Sequence, residues 1–142
     1  MKMINKIIIG VAMLLQLAHA TTYDSIYKAI PAAQQQNKFV VFFILQTGCP
    51  HCSELMNDIS NNQELTNLLE NKYVVAITDL VRGGKVPADL PFNGQTPTIM
   101  VVTPNGKLIG NPIEGKVPSN MLLEYLTKLD KLKQSYEESG AM

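Results

Sequence analysis

Two cysteines are present in the 142 residues, and they stand three apart in Thr47-Gly48-Cys49-Pro50-His51-Cys52. A C-x-x-C pair suits thiol–disulfide exchange. That reaction needs one exposed thiolate to attack a disulfide and a second thiol to resolve the mixed disulfide. Two other readings of the pair stay open at this point. A static disulfide would close a very short loop, and closure entropy grows with loop length, so it would add little stability. A zinc site needs about four ligands, and the other histidine, His19, falls in a segment expected to be removed.

The flanking residues say how the pair is held. Phe39-Val40-Val41-Phe42-Phe43-Ile44-Leu45 is an apolar run rich in aromatic and β-branched residues, bounded by Lys38 and Gln46. It reads as a strand buried on both faces. After the cysteines, Leu55, Met56 and Ile59 fall at helical spacing. Cys49 therefore sits at the start of a helix, where free N–H groups and the macrodipole favour an anion. That position lowers a cysteine pKa below its usual ~8.5 and marks Cys49 as the attacking thiol. Pro50 suits the first helical position, having no N–H to lose. His51 can add a positive charge or a donor, or be only an exposed spacer. Cys52, one turn on, is the resolving thiol.

The rest of the chain reads as one domain. Thr21 or Thr22 can cap a first helix through Tyr23, Ile26, Tyr27 and Ile30, interrupted or kinked at Pro31. Asn61-Asn62-Gln63-Glu64 starts a helix with Leu65, Leu68 and Leu69 inward, ending at Asn71. Tyr73–Ile77 is a second buried strand, with Asp79 at its end as a possible proton shuttle. Residues 82–94 form a loop containing Pro87, Pro91 and adjacent glycines. Thr98–Val102 is a third strand. Pro104-Asn105-Gly106-Lys107 is a hairpin turn in which Asn-Gly supplies positive φ values, and Leu108–Gly110 is an antiparallel fourth strand. Pro118 and Ser119 open a last helix through Met121, Leu122, Leu126, Leu129 and Leu132. Met56, Met100 and Met121 read as core filling, and Glu54 as a solvated helix residue. The expected fold class is α/β: a central mixed sheet of about four strands flanked by helices.

Lys2 and Lys6, an apolar core from Ile7 to Ala18 and Ala18-His19-Ala20 make residues 1–20 a cleavable signal peptide. An uncleaved anchor is the alternative. The domain is then 21–136, with 137–142 as a flexible tail, and the location is the periplasm. Removing Lys2 and Lys6 leaves ten basic residues against twelve acidic ones, a net charge near −2. That balance excludes nucleic acid as an expected partner.

Taken together, these residues resemble the thioredoxin superfamily in its small exported branch. The C-x-x-C follows a buried strand and opens a helix. Thr96-Pro97 precedes the third strand, where that family has a cis-proline. Asn105-Gly106 makes the last hairpin, and Glu114-Gly115 precedes the last helix. Pro50-His51 is the dipeptide of the DsbA oxidase group, but the helical insertion of that group is absent. The aromatic residue thioredoxins place before the first cysteine is Gly48 here. Phe43 stands where many relatives bury an acidic residue.

The resemblance implies a thiol–disulfide oxidoreductase with Cys49 and Cys52 catalytic and able to form a disulfide. Pro50 and His51 tune the thiol, and Thr96 and Pro97 bind substrate. It implies no cofactor and no metal. The expected partners are protein thiols and disulfides and a membrane redox partner, with the chain itself a monomer. The alternative is a thioredoxin-fold redox sensor or binding protein for a partner such as an apo-cytochrome or copper carrier.

Overall fold

The computed structural model describes residues 21–140. The expected signal peptide lies outside the described residues. The strands are β1 (Thr22–Tyr23), β2 (Phe39–Leu45), β3 (Tyr73–Asp79), β4 (Thr98–Val102) and β5 (Leu108–Glu114). The helices are α1 (Ile26–Gln36), α2 (Pro50–Ser60), α3 (Gln63–Lys72) and α4 (Ser119–Glu138). One mixed sheet holds the strands in the order β1-β3-β2-β4-β5. β2 runs parallel to β3, from Phe39 opposite Tyr73 to Leu45 opposite Asp79. It runs antiparallel to β4, from Val40 opposite Val102 to Ile44 opposite Thr98. A parallel pair needs a long crossover, and α2 with α3 is that crossover.

β2 is the middle strand, so its apolar run has no polar face, and Val40 to Ile44 are each at most 1% exposed. Alternate residues feed two cores. Val40, Phe42 and Ile44 pack with Ile26, Ala29 and Ala33 of α1. Val41 and Phe43 pack with Leu55 and Ile59 of α2, Leu65 and Leu69 of α3, and Leu122 and Leu126 of α4. Helices therefore cover both faces of the sheet, as in a three-layer α/β structure.

Several local expectations change. Ser25, not Thr21 or Thr22, caps α1, its side chain accepting from the Tyr27 N–H at 3.1 Å. Thr22 and Tyr23 instead pair with Val75 and Ala76 on the outer edge of β3, giving a fifth strand. Pro31 does not break α1, which runs on to Gln36. Pro31 lies on the exposed side, where water can satisfy the carbonyl it cannot serve. In the hairpin turn only Gly106 takes a positive φ, 80°, while Asn105 stays negative. β5 does not stop at Gly110. Ile99 pairs with Ile113 and Val101 with Ile109, so β5 bulges across Gly110, Asn111 and Pro112. As an edge strand β5 can carry a proline within it. Met121, expected as core filling, is instead 58% exposed. α4 continues past residue 136, with Glu137 accepting from Lys133 Nζ and from Asn37 Nδ2.

Leu55 is fully buried on the sheet-facing side of α2, one turn below the cysteines. Leu55→Ala should lower unfolding stability by about 2–5 kcal/mol. Urea unfolding checks this, with the midpoint falling and the slope unchanged.

Candidate redox-active site

The turn that delivers Cys49 is built from both central strands. As β2 ends, the Cys49 N–H closes onto the Gln46 carbonyl at 3.1 Å. Gly48 takes φ +84° within that turn, with nothing close to where a Cβ would stand. Backbone conformation rather than space therefore favours glycine, and an aromatic residue there would be strained. Asp79 ends β3 directly opposite Leu45. Its carboxylate accepts the Thr47 N–H at 3.1 Å, the Thr47 hydroxyl, and the Val81 N–H at 2.9 Å. Gly84 closes beneath it, its N–H on the Asp79 carbonyl at 2.9 Å. A Cβ on Gly84 would stand 2.6 Å from that carbonyl oxygen.

Cys49 is the N-cap of α2. Its backbone is extended, at φ −89° and ψ 109°, and Pro50 takes the first helical position. Its sulfur accepts the Cys52 N–H at 3.2 Å. A sulfur thus takes the place that a Ser or Asp oxygen holds at most helix starts. Cys49 is half-buried, whereas Cys52 is 4% exposed. The two cysteines are paired as a disulfide, with Cα atoms 5.3 Å apart.

Thr96 and Pro97 lie against this cap. The Thr96–Pro97 peptide bond is cis. The Thr96 carbonyl oxygen is 3.8 Å from the Cys49 sulfur, and the Thr96 hydroxyl is 3.7 Å from it. That hydroxyl is also 3.4 Å from Gln46 Oε1. Pro97 is buried, and its carbonyl accepts the Gly115 N–H at 2.8 Å. The structure therefore brings Cys49, Cys52, Pro50, Thr96 and Pro97 together.

His51 is exposed on the first turn of α2, its Nδ1 3.6 Å from Glu54 Oε2. The same oxygen accepts from Lys116 Nζ at 2.8 Å. Glu54 is thus solvent-exposed and ion-paired at once. The Lys116 ammonium holds the Glu54 carboxyl below its usual range, with a smaller contribution from His51. In return Glu54 holds the Lys116 ammonium above its usual range. Further along α2, Asp58 accepts the Ser119 N–H at 2.8 Å and the Ser119 hydroxyl at 3.1 Å. Sequence reading missed Gln46, Thr47, Lys116 and Ser119. They are ordinary polar residues with no motif of their own.

The Asp79 carboxylate accepts from Thr47 and Val81 and so ties the cysteine turn to the end of β3. The Thr47 hydroxyl, above all, keeps its pKa below the ordinary value, helped by the Thr47 and Val81 N–H groups and by Arg82. A depressed carboxyl pKa means the contact is present at neutral pH and is lost as pH falls through the folded-state pKa. The Thr47 and Val81 amide resonances should move together in an NMR titration, with a midpoint below the ordinary Asp value of about 3.9. Asp79→Asn should flatten both curves.

Residues 26–130 match the family described as "Thioredoxin-like domain". No curated protein matches the chain. Among solved structures, a thioredoxin from Thermus thermophilus is similar at a TM-score of 0.58 and 21% identity, covering 78% of this chain and 88% of that one. A disulphide isomerase from Xylella fastidiosa Temecula1 gives 0.56 and 20%, covering 72% and 86%. The DsbD C-terminal domain of Neisseria meningitidis, in its oxidised form, gives 0.56 and 21%, covering 72% and 90%. These likenesses establish the fold. The match spans most of the chain, from α1 into α4, and takes in the capped cysteine pair and the Thr96–Pro97 loop: the protein belongs to the thioredoxin-like domain family.

Proposed function

We propose that this protein is an exported thiol–disulfide oxidoreductase that exchanges disulfides with cysteines of other proteins in the periplasm. The observation that carries the reading is the Cys49 sulfur capping α2, accepting the Cys52 N–H at 3.2 Å beside Thr96. A thiolate in that place meets the positive end of the helix dipole and a charge-assisted donor. The Thr96 hydroxyl is a second donor within reach. The basic and apolar start of the chain, followed by Ala18-His19-Ala20, supports export.

In the reducing direction the Cys49 thiolate attacks a substrate disulfide. A bond forms between Cys49 and one substrate sulfur, the substrate S–S bond breaks, and the other sulfur leaves as a thiolate. Cys52 then loses its proton and attacks the Cys49 sulfur. The Cys49–Cys52 bond forms, the second substrate thiolate departs, and two electrons have passed from protein to substrate. The oxidising direction is the reverse. Either way a redox partner must restore the starting state, and a membrane electron carrier suits an exported protein.

Whatever stabilises the Cys49 thiolate stabilises the reduced protein relative to the disulfide. Each pH unit of pKa depression corresponds to about 1.4 kcal/mol, or about 30 mV for a two-electron couple. The helix cap pushes this way. Phe43, buried where many relatives carry an acid, removes a charge that would push back. The couple is therefore expected to be more oxidising than the about −270 mV of thioredoxin.

Cys52→Ser should trap mixed disulfides with client proteins, and Cys49→Ser should trap none. Equal trapping by both variants refutes the assignment of roles. Stable complexes without turnover point to a redox-dependent binding protein instead. Thiolate absorbance should place the Cys49 pKa clearly below about 8.5. Replacing His51 with an apolar residue should raise that pKa and shift the glutathione equilibrium toward a more reducing couple. An unshifted Cys49 removes the basis for an oxidase and favours a reductase.

A further inference from the structure

We propose that Lys116 tunes the Cys49–Cys52 couple by neutralising Glu54, a carboxylate that would otherwise oppose the thiolate at the start of α2. The inference deepens the thiol–disulfide reading above and rests on it. Glu54 stands two residues past Cys52, and its Oε2 is shared between Lys116 Nζ at 2.8 Å and His51 Nδ1 at 3.6 Å. Unpaired, it would put a negative charge within the first turns of the helix whose positive end faces the sulfur. Its charge would then bear on the nearby His51 alone and oppose the help that ring can lend Cys49.

Isolated exposed ion pairs contribute little, because two long side chains must be ordered to make them. Lys116 differs in that its backbone is anchored on both sides. Gly115 before it donates its N–H to the Pro97 carbonyl at 2.8 Å. Ser119 after it is held through its N–H and hydroxyl by Asp58 of α2. Asn62, the N-cap of α3, donates to the same Ser119 hydroxyl at 3.1 Å. The segment that joins β5 to α4 is thus fastened to the Thr96–Pro97 loop at one end and to α2 at the other. This holds the Lys116 backbone near α2, within reach of Glu54. The charged groups around the helix start are then His51, Glu54 and Asp58 on α2, Lys116 opposite them, and Asp79 with Arg82 beyond β3.

The test uses Lys116→Met, Glu54→Gln, their double variant and Lys116→Arg. The readouts are the Cys49 thiolate titration and equilibration of each protein with glutathione. A unit charge about 8 Å away in a water-like medium moves a pKa by about 0.3–0.5. Lys116→Met should raise the Cys49 pKa by that much and make the couple more reducing. Glu54→Gln should lower it by a similar amount and make the couple more oxidising. Each should change the glutathione equilibrium constant about 2- to 3-fold, or about 9–14 mV. The double variant and Lys116→Arg should return it to the wild-type value, and 1 M salt should shrink every difference.

A merely structural role would lower the melting temperature without shifts of opposite sign. Shifts of the same sign, or no shift, overturn the proposal. Turnover of a model protein disulfide such as insulin by the wild type is scored separately. A protein that shows the opposed shifts but no turnover refutes the oxidoreductase reading and leaves the role of Lys116 standing.

Discussion

A helix start leaves N–H groups without intrahelical partners, and in this protein one of them is satisfied by a sulfur. The Cys52 N–H points at Cys49 Sγ from 3.2 Å. The contact serves stability and chemistry together. It caps α2, and it places the one half-exposed sulfur where negative charge is favoured. Both cysteines are fixed by it, because donor and acceptor belong to the two ends of the same motif. The remaining architecture serves to keep that helix start in place.

The sheet does so from beneath. β2 delivers the turn, and its middle position buries Val40 to Ile44, with helices against both faces. Its parallel register with β3 sets Asp79 opposite Leu45, within reach of Thr47. Its antiparallel register with β4 sets Ile44 opposite Thr98, which brings the preceding Thr96 and Pro97 beside the sulfur. Two backbone registers therefore converge on the cap, one from each neighbouring strand. Gly115, Lys116 and Ser119 close the arrangement from the far side, joining the Pro97 loop to α2. Polar residues with unremarkable side chains carry most of this positioning, while the apolar cores above and below keep the layers rigid.

Some errors of sequence reading share a cause. Gly110 and Pro112 look like the end of a strand, yet they lie in a bulge of an edge strand, where the N–H that proline lacks is not needed for pairing. Pro31 looks like a helix break, yet its missing bond falls on the solvent side of α1. Thr22 and Tyr23 look like the approach to a helix, yet the free edge of β3 recruits them as a strand. Local preference was outvoted each time by the position of the segment within the layers.

The sequence by itself determined the layered fold and a cysteine pair suited to thiol–disulfide exchange. Cysteine spacing, a doubly apolar strand and helical periodicity are local patterns, and each marks an element that the folded chain contains. Thr96 and Pro97 were readable through the resemblance they carry. Only the tertiary structure decided which polar groups meet at the helix start. Asp79 became a pin for Thr47 because strand register fixes where β3 ends relative to β2. Glu54 found Lys116, 62 positions away along the chain, because two backbone anchors bring that segment against α2. Such pairings depend on the relative placement of whole elements, and no spacing within the chain encodes them.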